Sequence, residues 1–270
     1  YEGADYCAQQ NIDLIICDHH EASHNDNGAI QYPQALSIIH STDTAGAGVA
    51  YMFAKQLQQA FKITDPDHHL CELAAIGCIA DVVPLKDISR SITKHGLDIL
   101  SSTKRPGLKA LLADSKIKPG TPLNTYHVGF IIGPRLNASG RLGHSMDSLR
   151  LVCTKDKSRA MQIAIDLGNT NKQRQELTFD NVQAAVEHFT DNNDKKILII
   201  ASQEYNPGII GLIAGRLVEK FYKPAIVISI MGDIAKGSVR SVKGVNIINI
   251  LRQFEDQFID LGGHPLAAGF

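Results

Sequence analysis

Asp18, His19 and His20 follow directly on Leu14-Ile15-Ile16-Cys17, an unbroken apolar run of the kind expected in a strand buried on both faces of a parallel sheet. Ligands of open α/β sheets collect at the carboxyl ends of the strands. A carboxylate and two imidazoles at that position have the right donor atoms, in the right place, to hold a metal ion. Adjacent side chains on extended backbone point apart, which predicts one histidine on the metal and the other toward substrate. A turn-capping Asp with two exposed loop histidines would give the same triplet. The chain supplies its own comparison in Asp67-His68-His69, which follows a polar Asp-Pro turn and opens an amphipathic helix, where Asp is an ordinary N-cap. Only the first triplet follows a buried strand.

Three further stretches hold reactive or charged groups in suggestive settings. Asp81 ends a strongly apolar helical run, Leu-Cys-Glu-Leu-Ala-Ala-Ile-Gly-Cys-Ile at 70–79. A buried, unpaired carboxylate is costly, so Asp81 is expected to have a partner, either a helix cap or a metal shared with His19. Arg135 and Arg141 lie in the Gly- and Asn-rich segment 129–143, where small residues allow close backbone approach and guanidinium forks suit phosphate oxygens. Two surface arginines in a loop would look alike. Gly262-Gly263-His264, followed by small residues, suits backbone that hugs a ligand, or simply a Gly-rich turn.

The elements that must position these groups read as α/β. A helix end over 2–10 feeds the first strand, 25–28 is loop, and 35–40 is a second strand. Ala45-Gly46-Ala47-Gly48 opens a helix with Ala50, Phe53, Ala54, Leu57 and Phe61 on one face, its glycines serving close packing. Tyr126 and Phe130 read as core residues before stacking surfaces. A long helical pattern over 158–189, with a place to bend at 168–171, reads as a connector between two domains and carries Arg174 toward substrate. Strand 196–201, a helix through Ile210, Ile213, Ala214 and Leu217, and strand 225–230 predict a parallel, right-handed crossover. A last helix is expected over 245–258.

Composition sets bounds. The net charge of −1 excludes a broadly basic surface, so any nucleic-acid contact must rest on local clusters. Five scattered cysteines without a Cys-x-x-Cys argue for reduced thiols in a cytoplasm and against structural zinc. No apolar run is long enough to span a bilayer, and no signal peptide pattern is present, so a soluble protein without a membrane partner is expected.

Four passages together resemble the DHH phosphoesterase superfamily and, within it, the RecJ family of single-strand-specific exonucleases. They are Cys17-Asp18-His19-His20, Gly77-Cys78-Ile79-Ala80-Asp81-Val82-Val83-Pro84-Leu85, Pro134-Arg135-Leu136-Asn137-Ala138-Ser139-Gly140-Arg141-Leu142, and Gly262-Gly263-His264-Pro265-Leu266-Ala267-Ala268-Gly269. The resemblance implies a parallel-sheet DHH catalytic domain over 1–154, a connecting helix over 155–192 and a smaller α/β DHHA1 domain over 193–270. It implies two divalent ions, manganese or magnesium, and hydrolysis of single-stranded DNA from the 5′ end in repair and recombination. By position, His19 and Asp81 would be metal ligands, His20 would face the scissile phosphate and Asp18 would orient the histidines. Arg135, Asn137, Arg141 and Arg174 would line the DNA path. Ser238, Arg240, Gly262, Gly263 and His264 would form the substrate side of the DHHA1 domain. A helicase and a single-strand-binding protein would be partners.

Three departures qualify the match. The family's Asp-x-Asp pair and a further Asp would precede Tyr1, and its oligonucleotide-binding fold would follow Phe270. These absences predict a segment truncated at both ends and inactive by itself. The family's Trp-His before the Pro-Gly of the second unit is Tyr205-Asn206 here. Two other readings stand beside the exonuclease: an oligoribonuclease or nucleotide phosphatase, and an inactive nucleic-acid-binding scaffold.

Overall fold

A computed structural model describes residues 2–24, 29–64, 69–190 and 195–270. Contacts divide the chain into two units. The first comprises residues 1–135 and 150–165, the second 136–149 and 166–270. Residues 136–149, placed by the sequence with the catalytic domain, thus pack with the second unit. The expected loop at 25–28 and the first two members of Asp67-His68-His69 lie outside the described residues, while His69 opens a helix.

In the first unit, helix α1 (Glu2–Gln9) leads to strand β1 (Ile15–Asp18). A short antiparallel pair, β2 (Ser23–His24) and β3 (Ile30–Gln31), precedes β4 (Ser37–His40), which runs parallel to β1 with Asp18 opposite His40. Helices α2 (Gly46–Ala60), α3 (His69–Ala80), α4 (Asp87–Ser101) and α5 (Pro106–Asp114) follow. Their core joins Ala45, Cys71, Ala74, Cys78 and Ile92. Helix α3 is apolar on every side because α2 and α4 both pack on it, which is why its sequence shows little amphipathic pattern. In its first turn Glu72 is fully buried, and Arg105 Nε lies 2.9 Å from Glu72 Oε1 as an ion pair. Arg105 also donates to the carbonyls of Val152 and His69.

Strand β1 is not buried on both faces. Ile15 is 48% exposed and Cys17 is exposed, because among the described residues only β4 pairs with β1. The segment 129–143 is not a loop either. A π-helical turn (His127–Ile132) runs straight into α6 (Gly133–Leu142), followed by α7 (Met146–Cys153). Tyr126 and Phe130 are 59% and 70% exposed and stack with centroids 5.1 Å apart, so they are not core residues. The insertion of one residue per turn in a π-helix rotates the helical face, which a 3.6-residue reading cannot anticipate.

Helix α8 (Lys157–Thr190) is continuous through 168–171. Asn171, 4% exposed, accepts a hydrogen bond from Arg174, so the polar stretch is tied down locally. In the second unit, β5 (Leu198–Ser202), α9 (Ile210–Phe221) and β6 (Ala225–Met231) form the parallel crossover. Strand β7 (Ile234–Arg240) returns antiparallel, α10 (Ile247–Leu251) continues as a 3-10 segment (Arg252–Gln257), and β8 (Gly262–His264) and β9 (Ala267–Gly269) complete a sheet of order β5-β6-β7-β9-β8. Alternation along β6 splits the core: Ala225 and Val227 join Leu198, Ile213 and Leu217, whereas Ile226 joins Val239, Ile247 and Ala268.

Candidate metal centre and anion-binding face

Strand β1 ends at Asp18, and the backbone bends at His20. The two imidazoles therefore do not diverge as on extended chain; their centroids are 4.4 Å apart with planes tilted by 42°. They nevertheless take different partners. His19 Nε2 lies 2.9 Å from Asp81 Oδ2, while His20 Nδ1 lies 2.8 Å from Asp18 Oδ1 and His19 Nδ1 is 4.0 Å from that oxygen. Ligand-type atoms of Asp18, His19 and His20 all fall within 4.8 Å of one another. Asp18 thus orients His20 more directly than His19. Burial works to raise the Asp18 carboxyl, but the His20 hydrogen bond and nearby backbone N–H groups outweigh it and hold the group below its ordinary value.

Asp81 is not the buried carboxylate that its apolar surroundings suggest. Its side chain is 48% exposed. Helix α3 stops at Ala80, and Val82 adopts φ 60° and stands 85% exposed, turning the chain outward just beyond Asp81. A β-branched residue in the left-handed region is strained.

Two supporting residues escape a motif reading. His40 Nε2 is 2.7 Å from the His20 carbonyl, bracing the bend from the neighbouring strand. The signal was present: His40 ends the second strand of a parallel pair, level with Asp18. Gly46, at the start of α2, leaves room for His19, since a Cβ there would sit 3.2 Å from Nδ1. The neighbouring Gly48 serves packing as read, since a Cβ there would collide with the Thr44 side chain.

The predicted arginines separate into two groups. Arg135, in the first unit, is held by Asp114 at 3.4 Å and by the Ile131 carbonyl at 3.1 Å. Arg141, Arg174 and Arg240 gather in the second unit. Arg141 donates to the Gly208 carbonyl at 3.1 Å, and a Cβ on Gly208 would collide with the Arg141 carbonyl at 1.9 Å. Asn206 caps Gly208 N at 2.8 Å and Tyr205 is buried, so the Tyr205-Asn206 pair builds the turn beneath Arg141. Arg240 donates to Ser238 Oγ and the Val239 carbonyl. Arg174 donates to Asn171, while its buried Nε has no partner among the described residues. Burial first, and Arg141 second, make both Arg174 and Arg240 give up their protons more readily than usual. Among the described residues no carboxylate pairs with any of the three. Three crowded cations and an orphaned donor make a surface that an anion would complete.

Register explains the Gly-Gly-His ending. Arg240, Ala267 and His264 form one row across β7, β9 and β8, and Ser238, Gly269 and Gly262 form the row two residues on, along the same face. Glycines flatten that face beside Ser238, while Arg240 and His264 rise from it. Gly211 on α9 closes in, with room for a Cβ only 3.0 Å from Ser238 Oγ and 3.1 Å from Arg240 Nη2. Gly263 has φ 153°, and a Cβ there would lie 2.4 Å from the Ala267 carbonyl. His264 and Asn137 are exposed.

Residues 193–270 match the DHHA1 domain. The chain is 38% identical over 264 residues to the single-stranded-DNA-specific exonuclease RecJ of Bacillus subtilis, covering 96% of this chain and 33% of that protein. It is 31% identical to RecJ of Thermus thermophilus, covering 97% of this chain and 38% of that protein. Among solved structures, Thermus thermophilus RecJ in complex with Mn2+ superposes on the whole chain with a TM-score of 0.87 at 29% identity, over 40% of its own length. An exonuclease RecJ bound to manganese gives 0.83 at 28% identity, over 67% of its length. The chain therefore spans about a third to two fifths of these two curated relatives. Sequence relatives and a shared fold along the whole chain agree: this chain is similar over its length to one segment of RecJ single-stranded-DNA-specific exonucleases, and its residues 193–270 match the DHHA1 domain.

Proposed function

We propose that this chain supplies part of the metal centre and the DNA grip of a metal-dependent 5′-to-3′ single-stranded-DNA exonuclease. The observation that carries the reading is the 2.9 Å approach of His19 to Asp81, from segments 62 positions apart. An imidazole and a carboxylate suit manganese, and the carboxylates suit magnesium too. His19 and Asp81 would hold the ion, with Asp18 able to lend an oxygen. A divalent ion bound there activates water and neutralises charge on the scissile phosphate. The chain's own residues do the rest. Asp18 and His40 fix His20 at the edge of the site, where its imidazole faces the phosphate. Arg141, Arg174 and Arg240, with Ser238, Gly262, Gly263 and His264, grip the sugar-phosphate backbone of the single strand. Asn137 is free to join them, and Arg135 takes a lesser part because Asp114 already occupies it.

The substrate's place in repair and recombination, a cytoplasmic setting with unpaired thiols, and partnership with a helicase and a single-strand-binding protein belong to the same proposal. Among the described residues no helix is long and apolar enough to cross a membrane. The test is manganese binding, followed by electron paramagnetic resonance, in this chain and its Asp81→Asn and His19→Ala variants. Each variant is expected to bind manganese at least tenfold more weakly. In the complete protein, the same changes are expected to abolish manganese-dependent release of nucleotides from single-stranded DNA. Unchanged manganese affinity in both variants would show that the ligands lie elsewhere.

A further inference from the structure

A second site is built from other residues, in the first unit. The C-terminal part of α4, helix α5 and the loop after it enclose an open cavity of about 640 Å³. Its floor is apolar, formed by Leu112, Ile117 and Leu123, with Ala113 exposed at its mouth. Its polar lining includes three lysines: Lys109 on α5, Lys116 just past its end and Lys118 in the loop. All three are exposed and none has an ion-pair partner among the described residues. No carboxylate lines the cavity, and the nearby Asp114 is engaged by Arg135.

The walls are fixed rather than loose. Ser101 Oγ donates to the Leu97 carbonyl at 2.8 Å and accepts from Leu123 N at 2.9 Å, fastening the loop to α4. Ile117 N and Lys116 N close the end of α5 on Leu112 and Ala113, and Thr121 N bonds the Lys118 carbonyl. Lys116 at φ 58° and Gly120 at φ 78° make the turns that carry the loop back over the floor.

We infer that this cavity binds an acidic peptide segment of a protein partner, burying its apolar side chains on the floor and its carboxylates against the three lysines. A cavity of this size lies within the range of sites that enclose compact ligands, and a mostly apolar lining favours side chains over a sugar-phosphate backbone. Cations spread over a helix, its end and the following loop call for several carboxylates along an extended chain. A single phosphate would meet one of them.

The test uses this 270-residue chain and a fluorescein-labelled octapeptide of aspartates flanking a central Leu-Phe pair, read by fluorescence anisotropy. The peptide is expected to bind, at least tenfold more weakly when its Leu-Phe pair becomes Ala-Ala. A Lys109→Glu/Lys118→Glu double variant is expected to lose at least tenfold in affinity, and Ala113→Trp, which fills the exposed mouth, to abolish binding, with circular dichroism and melting temperature unchanged. Lack of binding at millimolar peptide, or equal affinity in the double variant, would overturn the assignment. So would displacement of the peptide by oligo(dT) together with loss of oligo(dT) binding in the double variant, which would make the lysines part of a nucleic-acid track.

Discussion

At the scale of single residues, the difference between a carboxylate available to a ligand and one that builds the fold is a matter of burial and partner. Asp81 is half exposed, meets an imidazole and precedes a strained Val82. Glu72 is fully buried between helices with Arg105 beside it. Burial drives the Glu72 carboxyl above its ordinary value, and Thr103 and Arg105 only partly offset this. The folded protein therefore holds this proton more tightly than the unfolded chain. The resulting stability is fully present below the ordinary value of 4.5 and is lost as pH rises through the raised one. Urea midpoints of the unsubstituted chain are expected to fall, relative to those of Glu72→Gln, as pH rises from that value toward neutrality. Parallel pH profiles for the two proteins would show that Glu72 does not titrate with folding.

At the scale of elements, close approach decides where glycine is required. Helices α3 and α4 pack so tightly that a Cβ on Gly96 would lie 2.4 Å from Ala75 Cβ and 2.5 Å from the Cys71 carbonyl. Alanine is the better helix former by about 1 kcal/mol, but the carbonyl belongs to a packed helix and cannot retreat. Gly96→Ala is therefore expected to destabilise the chain by about 1–3 kcal/mol in urea unfolding. Gly215 sits inside α9 with open space around it. Gly215→Ala is expected to stabilise by up to about 1 kcal/mol. Equal signs for the two substitutions would refute the packing argument.

At the scale of the whole molecule, a net charge of −1 leaves no general attraction to DNA. On the proposed reading, affinity would come from the local field of Arg141, Arg174 and Arg240, whose mutual repulsion a polyanion would relieve. Three phosphate contacts to a single strand give a slope of about −2 in log affinity against log salt. Arg240→Ala in the complete protein is expected to weaken single-strand binding and to reduce the magnitude of that slope by about 1. An unchanged slope, measured by salt titration of oligo(dT) binding, would remove Arg240 from the phosphate contacts.

The placement of the candidate site residues was legible wherever it depends on residue type and the end of a regular element. Asp18, His19 and His20 after an apolar strand, Asp81 after an apolar helix, and the strand–helix–strand of the second unit could all be read from local pattern, because period and polarity are written along the chain. Three things were settled only by long-range packing. The 129–143 segment, rich in glycine, is helical through residue 142 against local propensity. Arg135 and Arg141, alike in sequence, part company because Asp114 lies beside one and Arg174 and Arg240 beside the other. His40 and Gly46 support His20 and His19 of the candidate metal centre through strand register and helix approach, which no single stretch of sequence encodes. Local sequence sets which atoms are available at the end of each element, whereas their partners depend on which elements the fold brings side by side.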